Sequence, residues 1–444
     1  MRSLVLSLFM AGLFPTIFLH PYIGVLVYSW ISFMSPHRLV YGGLYLGVPL
    51  AFIAAIATAL SWFFSKEPKR LRFNATVYLI LAFAVVITIS NAFALNPALA
   101  AVEWSRTIKE LLFVVITISL TTNRVRAHAL LWVMAVSIGF YGLYGGLGSI
   151  FHGGGGRIYG PPDTAIWNNN DIGAGLLIAL PLMNYVRVQS ANKWVRLGWL
   201  FVIASSFLAI VSTYSRGALL GLIAVSIFLS LKSRSKIVTG TLVLVTVAAA
   251  LAFMPPEYAE RMGTIWTYQQ DASAMGRVGI WNVALKIARD HPLVGGGFAV
   301  TESQSVVNHY DPSLTYKAVH NVFLGVLAEQ GFIGFGIWLG LLLVGWFNSR
   351  WIQLHLRNRP DWQWASDLAR MCQVSIVGYC VVGSFGNYQY WDYYFTILGL
   401  LAAIRTIIER AALSRPFRAA VAAPALGSAP QLAIDSPTDD GLVV

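Results

Sequence analysis

Two arginines and one histidine, Arg216, Arg277 and His320, carry the side chains best placed for chemistry in this sequence. Arg216 stands in Ser212-Thr213-Tyr214-Ser215-Arg216-Gly217, between two apolar runs. An Arg near the centre of an apolar helix costs about 2.5–3.5 kcal/mol on insertion scales, so it has a partner or a function there, or it snorkels from a tight helical hairpin. Arg277 opens a stretch in which Val278, Trp281, Ala284, Leu285 and Ala288 recur at helical spacing. That spacing predicts an amphipathic helix along an outer interface, with Arg277 in its first turn. Free N–H groups at a helix start hold anions, and an Arg beside them adds fixed charge. The plainer alternative is an interfacial Arg on a solvated face. His320 sits in Lys317-Ala318-Val319-His320-Asn321, where a long loop enters the next apolar segment. Imidazole changes charge nearest neutral pH, which suits a general base. His20, His37, His128, His152, His291, His309 and His355 have no comparable setting.

Two cations and a base at one membrane surface suit a lipid-linked phosphate, its chain in the bilayer and its head group at the interface. Arg binds phosphate bidentately and stays charged. No Asp-x-Asp pair or His/carboxylate cluster on the outer side offers a divalent-metal site. The expectation is therefore chemistry with no metal and no cofactor, in which arginine neutralises a departing phosphate.

The elements that position these residues are membrane helices. Apolar residues make up 57% of the 444 positions and charged residues 11%, with a mean hydropathy of +0.65. Soluble domains carry about 25% charge, so a water-facing surface of this size lacks the charge it needs. The apolar segments read 3–35 (broken at Pro15 and His20-Pro21), 43–64, 73–91, 105–121, 127–148, 172–188, 194–212, 217–231, 236–253, 321–347, 368–387 and 391–410. The fold class is thus an all-α polytopic membrane protein of about 12 helices, each needing roughly 20 apolar residues to span. The count of 12 takes the first, broken segment as one crossing; read as two short helices, one of them would be interfacial.

Lys and Arg fall on alternate loops: Lys66 to Arg72, Arg124 and Arg126, Arg187 to Arg196, Lys232 to Lys236, Arg350 to Arg359, and Arg405 to Arg418. The positive-inside rule assigns these loops to the cytoplasm. Both termini then lie inside, and 92–104, 149–171 and 254–320 face out. In the 254–320 loop acids outnumber bases by one, as suits a translocated segment. The net charge of +12 follows from the cytoplasmic loops and implies no nucleic acid partner. Residues 1–410 form one transmembrane domain with a long outer loop at 254–320 carrying short helices. Residues 411–444, rich in Ala and Pro and then acidic, read as a disordered cytoplasmic tail. Cys372 and Cys380 are eight residues apart in one apolar helix, about 12 Å at 1.5 Å per residue, too far for a disulfide.

These motifs carry a family likeness. Arg277-x-x-x-Trp281, then His291-Pro292-Leu293-Val294-Gly295-Gly296-Gly297-Phe298, then His320-Asn321-x-x-Leu324-x-x-Leu327-x-Glu329-x-Gly331 resemble the core of the O-antigen ligase/polymerase superfamily. Ser215-Arg216-Gly217 resembles its arginine-bearing turn, and Trp167-Asn168-Asn169-Asn170 its asparagine element. The likeness covers about residues 160–335. The N-terminal third, with Ser35-Pro36-His37-Arg38-Leu39, resembles exosortase-associated O-glycosylation ligases.

The resemblance implies a glycosyltransferase of lipopolysaccharide biosynthesis in the bacterial inner membrane. Its donor would be a glycan linked to undecaprenyl pyrophosphate, and its acceptor a lipid A–core sugar hydroxyl on the periplasmic face. The reaction would be metal-independent and inverting. His320 would be the base, and Arg216 and Arg277 would bind the pyrophosphate. Asn170 and Asn321 would support by hydrogen bonds, or serve as helix caps. Tyr390 and Trp391, in the cluster 388–394, would stack on sugar or form an interfacial aromatic belt. Glu329 lies nine residues past His320, on the opposite helix face, and is not paired with it. An O-antigen polymerase or a protein O-glycosylation ligase would use the same donor. A secondary transporter would instead place its ionisable groups near the midplane.

Overall fold

The computed structural model describes residues 2–413 except 41–46, 68, 70–72, 154–156, 233–239, 242–243 and 245–271. Among them the chain is helical, with no strand. The helices are α1 (Arg2–Leu19), α2 (Pro21–Met34), α3 (Leu50–Phe64), α4 (Ala75–Ala92), α5 (Pro97–Leu120), α6 (Arg124–Phe151) and α7 (Asn169–Gln189). They continue as α8 (Lys193–Ser212), α9 (Arg216–Lys232), α10 (Ala272–Asp290), α11 (Gln304–Tyr310), α12 (Val322–His355), α13 (Gln363–Gly383) and α14 (Asp392–Leu413). By length and composition α1, α4, α6, α7, α8 and α12 can each cross a membrane, and α2, α3 and α9 are shorter apolar helices. The expected segment 236–253, the start of the 254–320 loop and the tail from 414 lie outside the described residues.

Asparagine starts many of these helices. The side chains of Asn74, Asn96, Asn123, Asn168, Asn192 and Asn321 accept from the first free backbone N–H groups of α4, α5, α6, α7, α8 and α12. A helix start near lipid has few other partners for those donors, so the cap stabilises it by about 1 kcal/mol. Asn96 moves the start of α5 to Pro97, eight residues before the apolar run at 105, so most of the expected 92–104 loop is helix. The α12 helix likewise runs on to His355.

The bundle has two distinct ends. At one, Arg126 pairs with Glu67 at 2.6 Å, Tyr22 donates to the Arg126 carbonyl, and Arg405 donates to Asn348 at 2.9 Å. At the other, Arg38 pairs with Asp163 at 3.1 Å, Ser32 donates to Asp392, and Asn96 donates to Ser303 at 3.0 Å. Among the described residues, Arg126 and Arg405 of the basic segments thus stand at the first end.

One expectation is corrected at the N-terminus. The segment 3–35 is an antiparallel pair that reverses at His20-Pro21, not a single crossing. Ser61, at the end of α3, donates to the Ile17 carbonyl at 2.6 Å, while Arg2, Val5 and Phe9 share a cleft with Pro36, Arg38 and Tyr144. Pro21 causes the reversal: it cannot donate to the preceding turn and takes the first position of α2. Residue 2 and the end of α14 therefore stand at opposite ends of the bundle, not both on the side of the basic loops.

Within the bundle α7, α13 and the first half of α14 are deeply enclosed. Residues 392–404 are buried throughout, and α13 packs on α7, α9 and α12. The turn between α13 and α14 opens on the second end.

Candidate active site

Arg216 is the first residue of α9. Tyr214 before it has φ +55°, a left-handed geometry that folds α8 back on α9 within three residues. Ser215 accepts from the Ala218 N–H at 3.2 Å, and Asn169 donates to the Thr213 carbonyl at 2.8 Å, tying this turn to the start of α7. Gly217 packs so closely on Phe385 that an added Cβ would lie 2.8 Å from it. Arg216 therefore sits beside the α13–α14 turn.

Arg277 lies in α10, which starts at Ala272, so it occupies the second turn and not the first. Ala272, Ala274 and Met275 are good helix formers, which extends the helix upstream. The free N–H groups of the helix start are therefore not beside Arg277, and that part of the anion argument falls. The buried face is also rotated from the expected one. Ile280, Val283, Ala284, Ile287 and Ala288 form a small core with Val300, Val306, Val307, Val319 and Ala328. Trp281 stays half-buried, and its Nε1–H donates to the Val319 carbonyl at 2.8 Å. That bond ties α10 to the residue before His320.

His320 adopts φ +50°, and its Nδ1 is buried with no hydrogen-bond partner among the described residues. Burial lowers its pKa from 6.5 to about 4, helped by the positive charges of Arg277 and Lys317. The imidazole is thus neutral at pH 7 and able to take a proton. Arg277 and His320, 43 residues apart, are brought together directly. Asn321 caps α12, accepting from Phe323 N–H at 3.0 Å and Leu324 N–H at 3.1 Å. Val322 then presses on Gly383, where a Cβ would stand 2.9 Å away.

The α13–α14 turn is the common neighbour of all three residues. Phe385 meets Gly217, Gly383 meets Val322, and Tyr388 feels the charge of Arg277. Burial holds the Tyr388 hydroxyl well above the usual phenol range; Asp171 adds to that and Arg277 opposes it. The sequence reading had not singled out Tyr388 or Lys317. Each was nevertheless visible, Tyr388 inside the aromatic cluster and Lys317 three residues before His320.

The remaining expected residues have other settings. Asn170 is half-buried in the first turn of α7, next to Asn168, which does the capping. Tyr390 donates to Glu329 at 2.6 Å and accepts from Gln330 at 3.1 Å. Trp391 is 4% exposed and stacks on Tyr393 at 4.9 Å. It is therefore not a lipid-facing belt, and it lines a polar cavity with Tyr388, Gln389 and Tyr390. Glu329 is engaged by Tyr390, Gln389 and the Ala299 N–H, apart from His320 as expected.

A latch holds α10 against α12. Gly331 breaks α12 with φ +65° and ψ −173°, which frees the carbonyls before it. Gly296 N–H donates to Ala328 O at 2.8 Å and Gly297 N–H to Glu329 O at 3.0 Å, while Phe332 N–H returns to Pro292 O at 2.8 Å. A Cβ on Gly295, itself at φ +69°, would lie 2.5 Å from the Glu329 carbonyl carbon. The glycines of 291–298 therefore allow backbone to meet backbone.

Comparison with known proteins adds the family. Residues 174–339 match the family described as O-antigen ligase, and residues 1–189 match a family of unknown function. Among curated proteins no match is found. The first match contains Arg216, Arg277, His320 and both latch segments.

Proposed function

We propose that this chain, whose residues 174–339 match the O-antigen ligase family, transfers O-antigen polysaccharide from undecaprenyl pyrophosphate to a sugar hydroxyl of lipid A–core on the periplasmic face of the inner membrane. The observation that carries this reading is a neutral His320 held beside Arg277, with Arg216 at the same end of the bundle.

In the proposed reaction His320 accepts the proton of the acceptor hydroxyl. The freed oxygen attacks the anomeric carbon of the donor sugar from the face opposite the pyrophosphate, and the configuration inverts. The anomeric C–O bond breaks with its electron pair going to undecaprenyl pyrophosphate, and the imidazolium later loses its proton to water. Arg216 and Arg277 meet the charge that grows on the leaving group, the role elsewhere filled by preorganised donors or a metal ion. This scheme requires no metal and no cofactor.

The location of the three residues at one end of the bundle favours this scheme over a transporter, whose ionisable groups belong near the midplane. The test uses purified protein, undecaprenyl-pyrophosphate-linked O-antigen and lipid A–core, without added metal. Full-length lipopolysaccharide is the expected product. Chain lengthening without lipid A–core would mean a polymerase, and transfer only to Ser, Thr or Tyr of a protein would mean a protein ligase.

A further inference from the structure

Tyr388, which feels the charge of Arg277, lines a polar cavity of about 210 Å³. Its walls come from separate parts of the chain: α5, the start of α7, the turn after the glycine latch, α12 and the α13–α14 turn. Glu103, Asp171, Glu302 and Glu329 supply carboxylates, and Arg106 is the one cation on the wall. Arg106 is already committed to Glu110 at 2.9 Å and approaches Glu103 at 3.9 Å. Gln389, 3% exposed, lines the cavity and has a buried Oε1 with no hydrogen-bond partner among the described residues. Phe298 and Tyr390 meet edge to face at 4.8 Å on the same wall.

We propose that this cavity is the acceptor subsite, taking a phosphate-free sugar ring that carries or adjoins the reactive hydroxyl. The inference rests on the glycosyl-transfer reading above and gives it a substrate preference. Carboxylates are pure acceptors when ionised, and a sugar ring offers several O–H donors. The cavity has room for a sugar ring.

Charge selects the occupant. A phosphate brought beside Glu103 and Glu302, with Arg106 already committed, meets like charge, and in a partly enclosed cavity that repulsion is weakly screened. The donor pyrophosphate is thereby confined to the side of Arg216 and Arg277. Tyr388, on the cavity wall, is held by its hydroxyl donating to the Val382 carbonyl at 2.7 Å.

The experiment measures transfer to two acceptor oligosaccharides that differ by one phosphate on the terminal ring. Glu302 is exposed at the mouth, so Glu302→Gln leaves the fold intact, which thermal unfolding checks. Glu302→Gln and Glu103→Gln should each raise the acceptor KM about tenfold, as for loss of one charge-assisted hydrogen bond, with donor KM unchanged. Glu302→Lys should narrow or reverse the preference for the phosphate-free acceptor. Donor KM rising while acceptor KM stays constant would assign the cavity to a donor sugar and overturn the proposal. Unchanged KM for both substrates would overturn it as well. Failure of the wild-type protein to transfer to either acceptor would count against the proposed function itself, a separate result.

Discussion

Arg277 stands close enough to His320 for its charge, added to that of Lys317 and to burial, to hold the imidazole near pKa 4. The pair joins α10 to the entrance of α12, and the Trp281–Val319 hydrogen bond fixes that approach. An imidazole so depressed is a weak base but is always ready to accept a proton at neutral pH.

The first expectation concerns pH. Neutral His320 is needed for proton transfer, and its protonated form appears only as pH falls through the folded value. The acid limb of kcat/KM should therefore fall near pH 4, well below the usual 6.5. Lys317→Gln removes one of the opposing charges and should move that limb upward. In the donor complex the pyrophosphate offsets both cations, so the limb of kcat should lie above that of kcat/KM. A limb fixed at 6.5 in wild type and variant alike would argue against His320 as the base.

The second separates backbone from chemistry at His320. A left-handed φ of +50° is tolerated by Asn far better than by most residues. His320→Asn should keep the thermal midpoint of the wild type, whereas transfer should fall about 10²–10⁴-fold, the usual contribution of a general base. Full transfer in a well-folded His320→Asn protein would remove the assignment.

Donor binding tests the arginines. Arg216→Ala and Arg277→Ala should each weaken binding of undecaprenyl pyrophosphate about 10–100-fold, the equivalent of a charge-assisted hydrogen bond of ~1.5–3 kcal/mol. Lys at either position should recover part of it, since it keeps charge but loses the planar fork. Binding that is unaltered by both alanine changes would take them out of the site.

Trp281→Phe should lower kcat with little change in either KM. It retains the aromatic packing but loses the bond to Val319 that positions the next residue, a loss of about 1 kcal/mol. A drop in stability without any change in kcat would show the bond to be structural only.

The glycine latch gives a stability prediction. Gly331→Ala places a Cβ 2.6 Å from the Leu293 carbonyl carbon at a φ of +65°, and Gly295→Ala meets Glu329 at 2.5 Å. Each should destabilise by roughly 2–4 kcal/mol through strain and displaced backbone hydrogen bonds, read as a lower unfolding midpoint in detergent. An unchanged midpoint would mean that the two segments separate freely.

The sequence by itself determined the membrane class, the alternation of basic loops and the placement of Arg216, Arg277 and His320 at one end. Each depends on composition and order along the chain, which lipid and water sort without reference to tertiary contacts. It also offered a helix cap as one role of Asn321, because a cap acts within three residues of its own position.

Tertiary structure alone decided the rest. Apolar residues look alike whether lipid or protein covers them, so hydropathy could not separate a broken crossing at 3–35 from an antiparallel pair. For the same reason it could not show Trp391 packed inside. The start and buried face of α10 depend on Val300, Val307, Val319 and Ala328, none of which lies within its own helical period. The depressed basicity of His320 requires Arg277, 43 residues away, and the anionic cavity draws its walls from five segments. Charge–charge coupling and cavity shape are functions of distance in space, which the order of residues does not record.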